Sequence, residues 1–152
     1  MPETVRMTLD EVRTLATEVF VGNGMSLANA ETIAGVVTAA EADGTHSHGL
    51  FRVPGYVSCV QNGRVDGRAV PEVSNAAPGL VAVDGKNGFS PPAIVAGRAL
   101  AIEKAKSQGI VALGLRNSGN LNALWWDVEQ FAAAGLIAMA MSTTRSYVAP
   151  WG

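Results

Sequence analysis

Residues 80–115, LVAVDGKNGFSPPAIVAGRALAIEKAKSQGIVALGL, carry the pattern that decides the fold class. Leu80–Val83 is a short apolar run bounded by a turn signal, which predicts a buried strand. The Pro-Pro pair that follows predicts the start of a helix over 91–108, ended by a glycine. Ile110–Leu115 predicts a second strand. This strand–helix–strand order indicates right-handed crossovers with parallel or mixed pairing.

Downstream of this unit the same alternation continues. Leu121–Ala134 predicts a second helix, and the apolar run Leu136–Met141 predicts a third strand. The chain stops at Val148–Gly152, soon after that strand. Three strands form a thin sheet with open edges. We therefore expect a βαβαβ layer that is incomplete at the C-terminus or is completed by a partner.

Upstream of residue 80 the sequence favours helices. Thr8 with Glu11 has the spacing of a capping box, which predicts a helix over 9–21. Ser26 is a suitable cap for a second helix over 27–42. A third helix is expected to begin near 50–53 and to end near residue 62, and 64–79 has the composition of an ordered connector. The predicted fold class is α+β or α/β, with a helical segment at 1–79 followed by a truncated α/β layer at 80–152.

The composition limits the function classes. The chain has 152 residues, of which 48% are hydrophobic and 16% charged, which is typical of a packed globular protein. The formal net charge is −2 and there is no basic block, so neither nucleic acid nor a membrane is expected as a partner. The first four residues show no apolar signal core, and the single cysteine, Cys59, has no partner for an internal disulfide. We expect a cytoplasmic protein.

The residues suited to chemistry are concentrated in 43–56, directly after the helix predicted over 27–42. This stretch contains both histidines of the chain. If the third helix extends back to His48, then His48, Arg52 and Tyr56 lie at positions i, i+4 and i+8, on one side of it. An imidazole transfers protons near neutral pH, and a guanidinium binds a carboxylate with two hydrogen bonds. A phenol can donate to the same ligand, and Ser47 can relay protons or orient the ligand. This set predicts a site for a small organic acid.

Other interpretations of these residues stay open. A histidine at a helix start is often a cap or a surface residue, Arg52 can pair with Asp43 or Glu41, and Tyr56 can belong to the core. The two histidines together with Asp43 can also bind a metal ion. That signal is weak, because no third strong ligand follows at a recognisable spacing.

Two further motifs are less specific. The polar stretch 117–122 lies between a predicted strand and a predicted helix, where backbone amides can hold a phosphate; a polar cap and turn explains it equally well. Trp125 and Trp126 are expected to pack, with at least one ring in the core. A G-x-G-x-x-G sequence follows none of the predicted strands, so a Rossmann site is not supported.

Several of these segments together resemble the malate/L-lactate dehydrogenase family that lacks the Rossmann fold, and within it the reductases of delta-1-piperideine-2-carboxylate and delta-1-pyrroline-2-carboxylate. The matching segments are Asp43–Gly49 with Arg52, Pro54–Tyr56, Val65–Gly67, Val83–Gly85 with Asn87–Phe89, Ala123–Trp125 with Asp127–Glu129, and Val148–Pro150.

The resemblance implies reduction, with NADP or NAD as cofactor, of a C=N or C=O group next to a carboxylate. It implies that His48 is the proton donor, that Ser47 is a relay residue and that Arg52 binds the substrate carboxylate. It also implies an unusual α/β cofactor domain, a homodimer and a cofactor-binding turn. The residues of that turn are Asn120, Leu121, Asn122, Ala123 and Leu124.

The sequence departs from the family in two respects. Family members are about twice as long, so this chain matches their N-terminal half. The family usually has a His-His-Phe type of sequence where this chain has Gly119-Asn120-Leu121. Three hypotheses follow: an imino acid or 2-oxo acid reductase, with malate- or lactate-type hydroxy acids as an alternative substrate class; a truncated binding or interaction protein; or a fragment of a longer gene product.

Overall fold

The computed structural model describes residues 5–143 of the chain. The helices and strands are α1 (Leu9–Gly22), α2 (Leu27–Ala42), two 3₁₀ turns (His46–His48 and Leu50–Arg52), α3 (Val53–Gln61), β1 (Glu72–Ala77), β2 (Leu80–Phe89), α4 (Ser90–Gln108), β3 (Ala112–Gly119) and α5 (Leu124–Ala132).

The first two helices begin at the predicted caps. The Thr8 hydroxyl accepts from the backbone N–H of Glu11 at 3.2 Å, and the Glu11 carboxylate accepts from the backbone N–H of Thr8 at 2.7 Å. The Ser26 hydroxyl likewise accepts from the backbone of α2. Both caps satisfy amides that the first helical turn leaves without a partner, so local sequence is sufficient to set these helix starts.

The helical half packs around an aromatic cluster. Tyr56 of α3 is fully buried, and its ring makes edge contacts with Phe20 of α1 and Phe89 at the end of β2, with ring centroids 5.7 and 5.0 Å apart. Buried aliphatic residues of α1 and α2 complete this core. We call Tyr56, Phe20, Phe89 and the aliphatic residues packed on them the aromatic core cluster. It connects the helical segment to the end of the sheet.

The sheet has three strands in the order β1-β2-β3. β1 pairs antiparallel with β2, and β2 pairs parallel with β3, with Leu80 opposite Ala112. The register of the parallel pair shifts between Asp84 and Gly88 of β2. α4 makes the crossover between the two parallel strands and packs on Val81 and Val83. The parallel pair and its crossover are as the sequence predicts.

The fold class is confirmed, but two strand predictions are wrong. Residues 136–143 form no helix or strand, although Leu136–Met141 reads as a buried strand; Ile137, Met139 and Met141 are exposed instead. The second error concerns β1, which lies within residues 64–79, the segment that the sequence predicts as a connector. Every residue of β1 is exposed, so it lacks the apolar alternation by which a strand is recognised in sequence.

Smaller differences concern element boundaries. β3 extends to Gly119, beyond the expected Leu115, and α5 is shorter than expected. Lys104, near the end of α4, is buried and donates to the carbonyls of Ala77 and Leu80, at 3.1 Å for Leu80. It thereby holds the β1–β2 turn against α4. In residues 5–143, no helix has the length and apolar character needed to cross a membrane.

Candidate functional site

The predicted site residues do not share one helix. His48 ends the first 3₁₀ turn, Arg52 ends the second, and Tyr56 lies in α3. Gly49 separates the two turns with an extended ψ of −140°, which a continuous helix cannot contain. The prediction that these three side chains share one helical flank is therefore wrong.

Ser47, His48 and Arg52 are nevertheless brought together by the loop that contains them. Ser47 Oγ lies 3.0 Å from Nδ1 of His48, and Arg52 Nε donates to the backbone carbonyl of Ser47 at 3.2 Å. Burial lowers the pKa of His48, and the positive charge of Arg52 lowers it further. Ser47, His48 and Arg52 thus form one compact, partly exposed group. We call residues 43–52, which carry this group, the His-Ser-His loop.

Tyr56 lies behind this group. Its ring belongs to the aromatic core cluster, and its buried hydroxyl has no hydrogen-bond partner among residues 5–143. Burial raises the pKa of Tyr56, the Arg52 charge opposes that rise, and the Asp127 carboxylate adds to it. The interpretation of Tyr56 as a core residue is confirmed by its burial, and its role toward a ligand stays a prediction.

The His-Ser-His loop is held by Glu41, which the sequence suggested only as a surface partner of Arg52. One carboxylate oxygen of Glu41 lies 2.7 Å from Nδ1 of His46, and the other accepts from the backbone N–H of Leu50 at 2.7 Å. Gly49 packs so closely that an added Cβ would overlap this carboxylate. Glu41 therefore ties both ends of the loop to the last turn of α2.

The two histidines have different partners in the described part of the chain. His46 pairs with Glu41, and His48 lies against Ser47. Across residues 5–143, no group of three or more His, Cys, Asp or Glu side chains is arranged to hold a metal ion.

The predicted cofactor residues form a turn between β3 and α5, which we call the 120–124 turn. Leu121 packs on the aromatic core cluster, as does Leu50 of the His-Ser-His loop. The turn and the loop therefore both contact the same buried cluster. α5 begins after Ala123, which has no polar side chain to cap it, so the first backbone amides of α5 lack a side-chain partner.

Asp127 in the first turn of α5 belongs to a segment that matches the family, but the sequence assigned it no role in the site. Its carboxylate accepts from the Asn122 side-chain amide at 2.6 Å, and the Ser90 hydroxyl donates to the oxygen of the same amide at 2.9 Å. Burial raises the pKa of Asp127 to about 6, and the bond from Asn122 opposes that shift. Trp126, on the same helix, is buried as predicted.

The sequence of the chain matches the malate/L-lactate dehydrogenase family over residues 7–152. The chain belongs to this family. A delta(1)-pyrroline-2-carboxylate/delta(1)-piperideine-2-carboxylate reductase of Pseudomonas putida is 45% identical over 148 residues, which are 97% of this chain and 43% of that protein. The chain therefore spans less than half of the length of this curated relative. The matching motif 148–150 lies outside the described residues.

Solved structures agree with this assignment. The chain superimposes on delta1-piperideine-2-carboxylate reductase from Pseudomonas syringae with a TM-score of 0.85 and 43% identity, covering 87% of this chain and 40% of that one. Malate dehydrogenase from Entamoeba histolytica gives a TM-score of 0.79 at 25% identity, covering 88% and 37%. The family shares the arrangement of helices and sheet described above.

Proposed function

We propose that this chain provides the proton-donating and carboxylate-binding part of a nicotinamide-dependent reductase for cyclic imino acids. The observation that carries the proposal is the grouping of Ser47, His48 and Arg52 in one partly exposed loop. The names of the relatives support a substrate with a C=N bond next to a carboxylate.

Arg52 is proposed to bind the substrate carboxylate. Its Nε is occupied by the Ser47 carbonyl, and its terminal nitrogens make no hydrogen bond within residues 5–143. Those two nitrogens suit a carboxylate, which accepts two parallel bonds from a guanidinium. A carboxylate bound there also offsets the positive charge that lowers the pKa of His48.

His48 is proposed to donate the proton to the imine nitrogen. Its Nδ1 faces Ser47, so Nε2 is the nitrogen available to a ligand. Substrate binding at Arg52 raises the affinity of His48 for a proton, because it weakens the repulsion between the two cationic side chains. His48 is therefore protonated most readily when the substrate carboxylate is bound at Arg52. Ser47 holds the imidazole in a fixed orientation.

The 120–124 turn is proposed as the part of the cofactor site present in this chain. Its residues fit a dinucleotide in one respect that the geometry provides: the uncapped amides at the start of α5 are donors for an anionic group. A bound nicotinamide supplies the hydride. We propose NADP as the cofactor, with NAD as the alternative.

The proposal includes a homodimer, as the family resemblance implies, and a location in the cytoplasm, where a single cysteine stays reduced. The chain covers 43% of the length of the P. putida relative.

The test is reduction of delta-1-piperideine-2-carboxylate by this chain, followed through the absorbance of NADPH. Energy transfer from Trp125 and Trp126 to NADPH measures cofactor binding independently. We expect binding, turnover and a loss of turnover of at least about 100-fold in His48→Ala. His46→Ala, on the exposed histidine of the same loop, is expected to lose far less. Wild-type turnover in His48→Ala, or absence of NADPH binding, would refute the proposal.

A 2-hydroxy acid of the malate or lactate type is the second candidate substrate. The similarity to malate dehydrogenase at a TM-score of 0.79 favours it. Arg52 would bind the carboxylate in the same way, and His48 would exchange its proton with an oxygen instead of a nitrogen. Oxidation of malate or lactate with NADP or NAD, assayed beside the imine, distinguishes the two substrate classes.

A further inference from the structure

Asn122 is the centre of a buried polar network. Its side-chain oxygen accepts from the Ser90 hydroxyl at 2.9 Å, and its nitrogen donates to Asp127 at 2.6 Å and to the carbonyl of Ala123 at 3.2 Å. Asn122 and Ser90 are only 7% and 6% exposed. A primary amide has two donor hydrogens and one carbonyl oxygen, and all three are used here.

The orientation of this amide depends on Asp127. If the amide were turned over, its oxygen would face the Asp127 carboxylate and the Ala123 carbonyl, which are both acceptors. The Ser90 hydroxyl would tolerate either orientation, because it can donate or accept. Asp127 and the Ala123 carbonyl therefore together fix which way the Asn122 side chain points, and Asp127 makes the shorter of the two bonds.

The network joins three elements at the proposed cofactor site. Ser90 begins α4, Asp127 lies in the first turn of α5, and Asn122 lies within the 120–124 turn. The backbone N–H of Asn122 also donates to the side chain of Asn120 at 3.1 Å. These bonds attach the turn to the starts of two helices.

Placing the Asp127 carboxylate in this partly buried position costs free energy of folding. Its carboxylate is partly buried, and no cationic side chain forms a salt bridge with it in the described part of the chain. Burying an unpaired charge is unfavourable unless strong hydrogen bonds compensate. The short bond from Asn122 is such a charge-assisted bond.

We propose that Asp127 is a positioning residue that, through Asn122 and Ser90, sets the conformation of the 120–124 turn for binding of the nicotinamide cofactor. The identity of the ligand rests on the function proposed above. The role of Asp127 in fixing the turn does not rest on it, and the two can be tested separately.

The test compares Asp127→Ala with Asp127→Asn, which keeps an acceptor for the Asn122 amide. Amide hydrogen exchange of a peptide covering 118–124 reports on the turn, and energy transfer from Trp125 and Trp126 reports on NADPH affinity. We expect Asp127→Ala to accelerate exchange in the turn and to weaken NADPH binding, each by about tenfold, the scale of one lost charge-assisted bond. Asp127→Asn is expected to restore most of both. Glu129→Gln, on the exposed face of α5, is the control and should change neither.

Each outcome decides the proposal. Unchanged exchange in Asp127→Ala would overturn it, as would a loosened turn with unaltered NADPH affinity. Exchange in α1 and α2 shows whether a variant is folded. If Asp127→Ala unfolds, Ser90→Ala replaces it. Amide exchange is then expected to accelerate in the 120–124 turn alone, and by a smaller factor. If the wild-type chain fails to bind NADPH, the proposed function fails, and exchange alone still decides whether Asp127 fixes the turn.

Discussion

Ser47 Oγ and His48 Nδ1 lie 3.0 Å apart in the His-Ser-His loop, and Arg52 donates to the backbone carbonyl between them. This arrangement places a permanent positive charge beside an imidazole that is already partly buried. Both effects lower the pKa of His48, burial more than Arg52.

The first prediction concerns this charge. In Arg52→Met the charge is removed while an apolar stem of similar length remains, so the pKa of His48 should rise toward its ordinary value. NMR titration of the two histidine rings measures it directly, since the chain has only His46 and His48. Addition of a small carboxylic acid to the wild type should shift the pKa in the same direction. A His48 titration that is identical in Arg52→Met and the wild type would contradict the coupling.

The second prediction concerns the attachment of the loop by Glu41. Glu41→Ala removes the acceptor of the Leu50 amide and the partner of His46, so the loop loses both attachments. Displacement of a catalytic group by about 1 Å costs roughly 100-fold in rate, so we expect turnover to fall 10- to 100-fold. Glu41→Gln retains an acceptor and should fall much less. Turnover is the measurement, and exposed Glu31→Ala on the same helix is the control. Equal turnover in Glu41→Ala and the control would exclude the role.

The third prediction separates two interpretations of Tyr56. Its hydroxyl is buried without a partner among the described residues, so Tyr56→Phe should leave stability unchanged or raise it by about 1 kcal/mol. Tyr56→Ala removes the edge contacts to Phe20 and Phe89 and should cost about 3–5 kcal/mol. Chemical denaturation measures both. A large rise in KM for the substrate in Tyr56→Phe, with unchanged stability, would restore the ligand role that the sequence suggested.

Local sequence was sufficient to predict most of the helices and the two parallel strands of the sheet. The capping pair Thr8 and Glu11 and the Pro-Pro start of α4 depend on residues within a few positions of one another. Ser47, His48 and Arg52 lie together, but the helix invoked to group His48, Arg52 and Tyr56 does not exist, and Tyr56 lies in the core behind them. Their proximity follows from short separation in the chain, which several backbone conformations can satisfy.

Other features depend on contacts that sequence order does not reveal. Ser90 and Asn122 are 32 positions apart and meet because α4 and the 120–124 turn begin at the ends of the paired strands β2 and β3. β1 is exposed throughout and is defined by backbone pairing with β2, which leaves no apolar pattern. Glu41 reaches Leu50 only because the loop folds back on α2.

The fourth prediction concerns the pH dependence of stability due to Asp127. The pKa of its carboxyl is raised from 3.8 to about 6 in the folded chain, so the folded state holds this proton more tightly than the unfolded state. The stabilisation is complete below pH 3.8 and is lost as the pH rises through about 6. Asp127→Asn lacks this titration. The melting temperature of Asp127→Asn relative to the wild type should therefore increase between pH 4 and 6.5. A constant difference over that range would show that the carboxyl has an ordinary pKa.

The last prediction tests the close packing of α4 on the sheet. A Cβ added at Gly97 would lie 2.7 Å from Val83 Cγ2 and 2.8 Å from Leu113 Cδ1, so Gly97→Ala must push the helix from the strands. Val83 is fully buried and branched at Cβ, so it cannot turn away cheaply. We expect a loss of about 1–3 kcal/mol in the free energy of unfolding. Gly35→Ala is the matched control, because a Cβ there meets nothing within 4 Å. That change should stabilise α2 by roughly 0.5–1 kcal/mol. Since both substitutions add the same methyl group inside a helix, opposite signs in denaturant unfolding isolate the contact with the sheet, and equal signs would refute it.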